Sequence, residues 1–222
     1  MPEKHKKYIC IHGHFYQPPR ENAWLETIEV QESSAPYYDW YERISEECYA
    51  PNAEARVLNA AKRISGISNN YARISWNMGP TLLSWLEMYD LPTYKRLQQA
   101  DRNSMVRFSG HGSALAQSYN HIIMPLANER DKQTQIRWGI ADFKARFNRM
   151  PEGMWLAETA VDTDTLEALV DNGIRFTVLA PRQCKAVKLQ EDNDWHDVHG
   201  NVDSRRAYRC PLPSGRTIDL FF

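Results

Sequence analysis

An order of segments, more than any single motif, restricts what this chain can fold into. Short runs rich in β-branched and aromatic residues alternate with longer segments whose apolar residues recur every three or four positions. The clearest helical segment is Glu129 to Phe147, where Ile136, Ile140, Phe143 and Phe147 make one apolar stripe to lay on a sheet. Asn52 is placed to cap another helix carrying Ala55, Leu58, Ala61 and Ile64. Gly79-Pro80 introduces a third over Thr81 to Tyr89, and a fourth starts at Asp162 and ends at Gly173. The strand-like runs are Tyr8 to Ile11, Ala72 to Trp76, Met105 to Ser109, Gly153 to Leu156 and Ile174 to Leu179. Strand, helix, strand order requires crossover connections and hence a parallel sheet, either open and doubly wound or closed as a barrel. There is no internal repeat and no low-complexity tract.

The bulk properties decide which partners are plausible. At 222 residues and 42% hydrophobic content the chain can bury a real core, as one domain or a large piece of one. Its 27 Lys plus Arg against 28 Asp plus Glu give a net charge of -1, so nothing electrostatic favours nucleic acid or an anionic membrane. Cys10, Cys48, Cys184 and Cys210 are widely spaced with no C-x-x-C pair, which argues against a zinc ribbon or a disulfide scaffold and predicts reduced thiols in a cytoplasmic protein. The start, MPEKHKKYIC, has too short an apolar run for a signal-peptide core or a spanning helix. The anomaly is aromatic: 7 Trp, 11 Tyr and 7 Phe, several in polar segments such as Ala35 to Tyr41 (APYYDWY). Aromatic faces beside polar groups suit carbohydrate rings as well as ordinary half-buried packing.

The polar candidates cluster where strands are expected to end, which is where parallel folds build their sites. Two long irregular stretches, His14 to Pro51 and Gly110 to Asn128, each follow an expected strand. His12 and His14, two apart, would share a side of an extended segment and could bind hydroxyls or a metal. Trp76 offers a stacking face and Asn77 an amide; His111 and His121 follow the third expected strand. Glu158 ends the apolar run Met154, Trp155, Leu156, Ala157, where a charge is costly to bury unless paired; its bland role would be a carboxylate in a first helical turn. Together Glu158 would face a basin lined by His12, His14, Trp76, Asn77, His111 and Trp155, a site for a hydroxyl-rich ligand with a carboxylate in it.

These motifs resemble, in order, those of glycoside hydrolase family 57, the α-amylase and 4-α-glucanotransferase family. The matching parts are His12-Gly13-His14 with Gln17-Pro18, Ser75 to Pro80, Gly110-His111-Gly112 through His121, and Trp155-Leu156-Ala157-Glu158. The resemblance spans residues 8 to 222; Phe15-Tyr16 is an insertion relative to the family's compact His-Gln-Pro form. It implies an incomplete, seven-stranded (β/α) barrel of parallel strands, with 1–222 a single catalytic barrel domain truncated at its C-terminal side. It further implies a retaining mechanism on α-linked glucans, with Glu158 as nucleophile, no metal and no cofactor. His12, His14, Trp76, Asn77, His111, His121 and Trp155 would bind an oligo- or polysaccharide.

A retaining mechanism needs a second carboxyl group. The family's acid/base is an aspartate just after a late strand ending in aromatics. Here that strand is Thr217 to Phe222, and its only carboxylate, Asp219, precedes the double Phe. The chain is therefore expected to end short of its acid/base, to be inert on glucans by itself, and to self-associate through uncovered sheet edge. Other readings stay open at this point: a metal-dependent deacetylase or mannosidase-like barrel using the histidines, although no aspartate accompanies His12 and His14, or a noncatalytic carbohydrate-binding barrel.

Overall fold

The computed structural model describes residues 9–192 and 194–222, so Tyr8, the start of the first expected strand, lies outside the described residues. The chain has two compact units, the first through Ala114 and the second Leu115–Phe222. Both are mixed α/β with parallel strands. Among the described residues no helix is long and apolar enough to cross a membrane, and the four cysteines are free thiols.

In the first unit, β1 (His12–Phe15) pairs in parallel with β2 (Ser75–Met78), matching His12 with Ser75 and His14 with Asn77. The first strand thus starts one residue after the expected run ends, and the two histidines lie within it. Ile9 and Ile11, which made the run look buried, are exposed. After β2 come α1 (Pro80–Tyr89), with Pro80 in its first turn as expected, and α2 (Leu91–Arg107), which Asp90 caps by accepting from the Thr93 N–H. Leu82, Leu86 and Leu97 face the core with Tyr41, Tyr71 and Trp76.

Two expectations in this unit are corrected. Met105 to Ser109 is not a strand: Met105–Arg107 closes α2, and Val106 points to solvent. The third strand, β3 (Ala114–Gln117), falls inside the stretch expected to be loop, because side chains of α2 receive the incoming backbone there. Ser104 Oγ accepts from the Ser113 N–H at 2.7 Å and the Asp101 carboxylate from the Ala114 N–H at 2.9 Å. The helix expected from Asn52 through Ile64 is instead an antiparallel hairpin, Ala55–Leu58 against Ile64–Ser68. Asn59 closes its turn by accepting from the Ala61 and Arg63 N–H groups. Residues spaced by three do not share one face of a strand, and the apolar stripe gives way to β-branched Val57, Ile64 and Ile67, which favour extended backbone, and to the turn at Asn59.

In the second unit β3 pairs in parallel with β4 (Met154–Trp155), Ala116 opposite Met154 and Gln117 opposite Trp155. Gly153 bridges in parallel to Phe176 of β5 (Phe176–Val178), which pairs in parallel with β7 (Thr217–Phe221); β6 (Tyr208–Pro211) adds to β7 antiparallel. The crossover from β3 to β4 is α3 (Glu129–Phe147), with the bounds its periodicity predicts and an Asn128 side-chain cap. Its stripe of Ile136, Ile140, Phe143 and Phe147 is buried, each side chain worth about 1.5–3 kcal/mol. Helix α4 (Thr163–Asp171) is capped by Asp162, whose carboxylate accepts from the Thr165 N–H at 2.7 Å and from buried Lys132 at 2.9 Å. Burial would raise the Asp162 pKa, but these bonds outweigh it and hold it below its ordinary value. Gly173, with φ at 80°, ends the helix as expected.

Candidate functional site

Because side chains alternate across a strand, paired β1 and β2 present two different faces. His12, His14, Ser75 and Asn77 share one; Gly13, Phe15, Trp76 and Met78 share the other. The second is the core face: Trp76 is 1% exposed, and its indole N–H donates to the Tyr71 carbonyl at 2.9 Å and to Ser113 Oγ at 3.2 Å. Trp76 is therefore a core residue and not a stacking platform, which corrects its place in the expected basin. A Cβ on Gly13 would meet the Phe15 ring at 2.6 Å, so glycine lets that ring fold under the strand and reach Tyr49 and Tyr71.

On the polar face the contacts form one chain. His12 Nδ1 lies 2.8 Å from Ser75 Oγ, His12 Nε2 lies 3.2 Å from Asn77 Oδ1, and His14 Nδ1 lies 3.0 Å from Asn77 Nδ2 and 3.2 Å from Asn77 Oδ1. One proton arrangement satisfies the run of groups. Ser75 donates to His12 Nδ1, His12 Nε2–H donates to Asn77 Oδ1, and Asn77 Nδ2–H donates to His14 Nδ1. Burial lowers the His12 pKa below 6.5, outweighing the Asn77 hydrogen bond, and nearby His14 lowers it further. Asn77 is wholly buried and bonds both rings, whereas His14 is exposed, so its ring is the outer end of the chain. Behind this face Gln17 is buried, accepting from Arg20 at 2.6 Å and donating to the Tyr49 hydroxyl at 3.3 Å. Ser75 is the polar residue that reading the histidines alone missed; its place two before Asn77 in an extended run was the available signal.

A prediction follows from the depressed His12 pKa. The unfolded chain binds a proton on this residue more readily than the folded one, so the stability His12 contributes is full above pH 6.5 and is lost as the pH falls through the lower folded pKa. Urea midpoints at about pH 7.5 and about pH 5 should differ less in His12→Gln than in the wild type. An unchanged pH dependence would show that His12 is not the group responsible.

His111 lies between α2 and β3, before the strand rather than after it, and so at the amino end of β3. His121 does follow a carboxyl end. Its residue has φ at 54° in a turn that Gln135 of α3 holds, the Gln135 carbonyl accepting from Tyr119 N–H at 3.2 Å and its side chain from Asn120 N–H at 2.7 Å. Since β3 and β4 are parallel and adjacent, this turn leaves the same edge of the sheet as the one after Trp155.

That second turn carries Glu158. It is not part of a helical first turn, for α4 begins at Thr163 and Asp162 caps it. Instead Ala157–Thr159 is a tight turn in which Glu158 (φ 54°) and Thr159 (φ 54°) are both left-handed. For residues with a Cβ this costs about 1–2 kcal/mol each. Leu156 and Ala157 anchor the turn in the core, the Leu156 carbonyl accepts from Thr159 N–H at 2.9 Å, and the Gln183 side chain donates to the Thr159 carbonyl at 2.7 Å. The result is an exposed carboxylate on a turn held from three sides, beside half-buried Trp155. Backbone strain maintained at a strand end is the kind found at functional sites. Asp219 stands mid-strand in β7, paired with Arg209 at 3.1 Å across the antiparallel ladder. Among the described residues no group of three or more His, Cys, Asp and Glu side chains is placed to hold a metal ion.

Comparison with known proteins identifies the family and the fold. The model of glycosyl hydrolase family 57 matches residues 3–222. Alpha-amylase 1 of Dictyoglomus thermophilum is 25% identical over 112 residues, half of this chain but only 16% of that protein. The exo-type maltose-forming amylase of Pyrococcus sp. ST04 superposes with a TM-score of 0.61 at 14% identity, over 95% of this chain and 34% of its own. The 4-alpha-glucanotransferase of Thermococcus litoralis gives 0.53 at 17% identity, over 96% of this chain and 27% of its own. These likenesses establish a shared fold, and the chain spans well under half the length of each of these proteins.

Proposed function

Since the chain belongs to glycosyl hydrolase family 57, we propose that it supplies the nucleophile and saccharide-binding groups of a retaining glycoside hydrolase or glucanotransferase acting on α-linked glucans. The observation that carries this reading is Glu158, an exposed carboxylate on a strained, anchored turn at the carboxyl end of a parallel strand. The relatives named above are, by their names, an α-amylase, a maltose-forming amylase and a 4-α-glucanotransferase.

In this reading a Glu158 oxygen bonds to the anomeric carbon as the bond from that carbon to the glycosidic oxygen breaks. A second carboxyl group gives the leaving oxygen its proton. That group then takes a proton from water or from an acceptor hydroxyl, which displaces Glu158. The two carboxyl groups stand roughly 5 to 5.5 Å apart in such mechanisms. Asp219, committed to Arg209 in mid-strand, has a structural role rather than the acid's. His14, His121 and Trp155 bind and orient sugar hydroxyls and ring faces; Asn77, wholly buried, and His12 act on the His14 ring as positioning residues.

The stereochemistry of the first product tests the proposal. In an enzyme carrying this chain, proton NMR of products released early from a maltooligosaccharide should show the α-anomer, because two displacements at one carbon restore its configuration. The β-anomer as first product would rule out Glu158 as a covalent nucleophile.

A further inference from the structure

The aromatic, polar segment APYYDWY does not contribute to the strand-end groups. Within the first unit it folds against α1 and α2 and, with Thr27 and Ile28, encloses a cleft of about 590 Å³ that includes none of the strand-end residues. This is the size of a small-molecule site. We infer that the cleft is a second saccharide-binding site, separate from the chemistry, which holds a stretch of glucan chain.

The wall chemistry supports a sugar. Trp85 is fixed in place, stacked on Tyr41 with ring centres 5.3 Å apart and planes within 11°. Tyr89 lies 5.7 Å further along, tilted by 36°, and is 66% exposed; Tyr38 is 51% exposed. Exposed tyrosines next to a locked indole give apolar faces for the C–H side of pyranose rings at low entropic cost. The polar groups divide into two sets. Asp39, Glu42 and Asp90 are committed to the walls: Asp39 accepts from Glu42 N–H at 2.9 Å, Glu42 from Tyr38 N–H at 2.7 Å, and Asp90 from Ser45 Oγ at 2.7 Å. Arg96 is neutralised by Glu54. Glu46, exposed at the cleft, has no hydrogen-bond or ion-pair partner among the described residues and can accept from sugar hydroxyls.

Other occupants fit less well. A metal ion needs several converging donors, and among the described residues no such group occurs. An organic cation would meet only one uncommitted carboxylate. The choice of an α-linked glucan rests on the proposed function; the rings and Glu46 by themselves require only a pyranose.

Calorimetric titration of the 222-residue chain with maltoheptaose tests the site. Tyr89→Ala should weaken binding at the cleft about tenfold, Tyr89→Phe should keep it within about twofold because the ring face is retained, and Glu46→Gln should weaken it about fivefold. Glu46 is exposed, so its substitution reads the site even if loss of the Tyr89 ring disturbs packing on Trp85. Equal affinity in wild type, Tyr89→Ala and Glu46→Gln would overturn the inference. So would a change of oligomeric state on Tyr89→Ala with sugar affinity unaltered, which would make the cleft a protein contact. Failure of the proposed chemistry is separately visible, since it is read from Glu158→Gln and product stereochemistry while the cleft is read by binding.

Discussion

Glu158→Gln is expected to leave the protein folded and to abolish covalent labelling by a mechanism-based fluorosugar, with glycosyl transfer falling by on the order of 10⁴-fold or more. Glutamine has nearly the shape of glutamate, so the left-handed turn over residues 157–159, its anchors Leu156 and Ala157, and the Gln183 bond to the Thr159 carbonyl have no reason to change. Because Glu158 is exposed, the stability change should stay within about 0.5 kcal/mol. An uncharged amide cannot form the ester bond to the anomeric carbon, and that loss is chemical rather than structural. The measurement is single-turnover transfer from a maltooligosaccharide, beside mass spectrometry of the labelled peptide, in an enzyme carrying this chain. Turnover near wild type would return Glu158 to an ordinary surface carboxylate. The strain at residues 158 and 159 would then need another explanation.

The largest effect on stability is expected from Gly139→Ala. In isolation the change should help, since alanine is favoured over glycine inside a helix by about 1 kcal/mol. Here the added methyl group would sit 2.1 Å from the backbone oxygen of Gln117. That oxygen belongs to the last residue of β3, which is held by parallel pairing to β4 and cannot rotate aside as a side chain could. Helix α3 must then lift off the strand, opening the packing of Ile136 and Phe143. Overpacking costs about 1–3 kcal/mol and more against main chain, so it outweighs propensity and leaves a net loss of about 2 kcal/mol. For a chain of this length that is a fall of about 4–8 °C in Tm. Thermal unfolding followed by circular dichroism measures it, and a Tm equal to or above wild type would show that the close approach does not constrain the helix.

Gly139 also shows what could not be read beforehand. The stripe Ile136, Ile140, Phe143 and Phe147 announced α3 and its buried face, yet nothing in it marks the glycine between the first two of them as required. Its reason is a contact with a residue far away in sequence. Likewise His111 belonged to a legible motif, but the strand it was expected to follow proved to be the end of α2. Val106 and Phe108 have strand propensity, and a helix already running from Leu91 overrode it.

By itself the sequence determined what depends on near neighbours: the bounds of α3, the start near Asp162 and stop at Gly173 of α4, the alternation that forces parallel strands, and the family motifs that carry Glu158 and the two histidines. Those features rest on periodicity and on hydrogen bonds spanning a few residues, and such forces are written locally. The tertiary structure alone decided which face each strand residue takes. Trp76 and Asn77 are adjacent, and pairing of β1 with β2 sends one into the core and the other onto the histidines; a slip of one residue would exchange them. It also decided that residues 55–68 make a hairpin, where the turn at Asn59 and pairing across it prevailed over a helical spacing of apolar residues. Finally, it decided that Glu158 stands on a left-handed turn ahead of α4, where neighbours distant in sequence, Gln183 among them, maintain a conformation that local preference opposes.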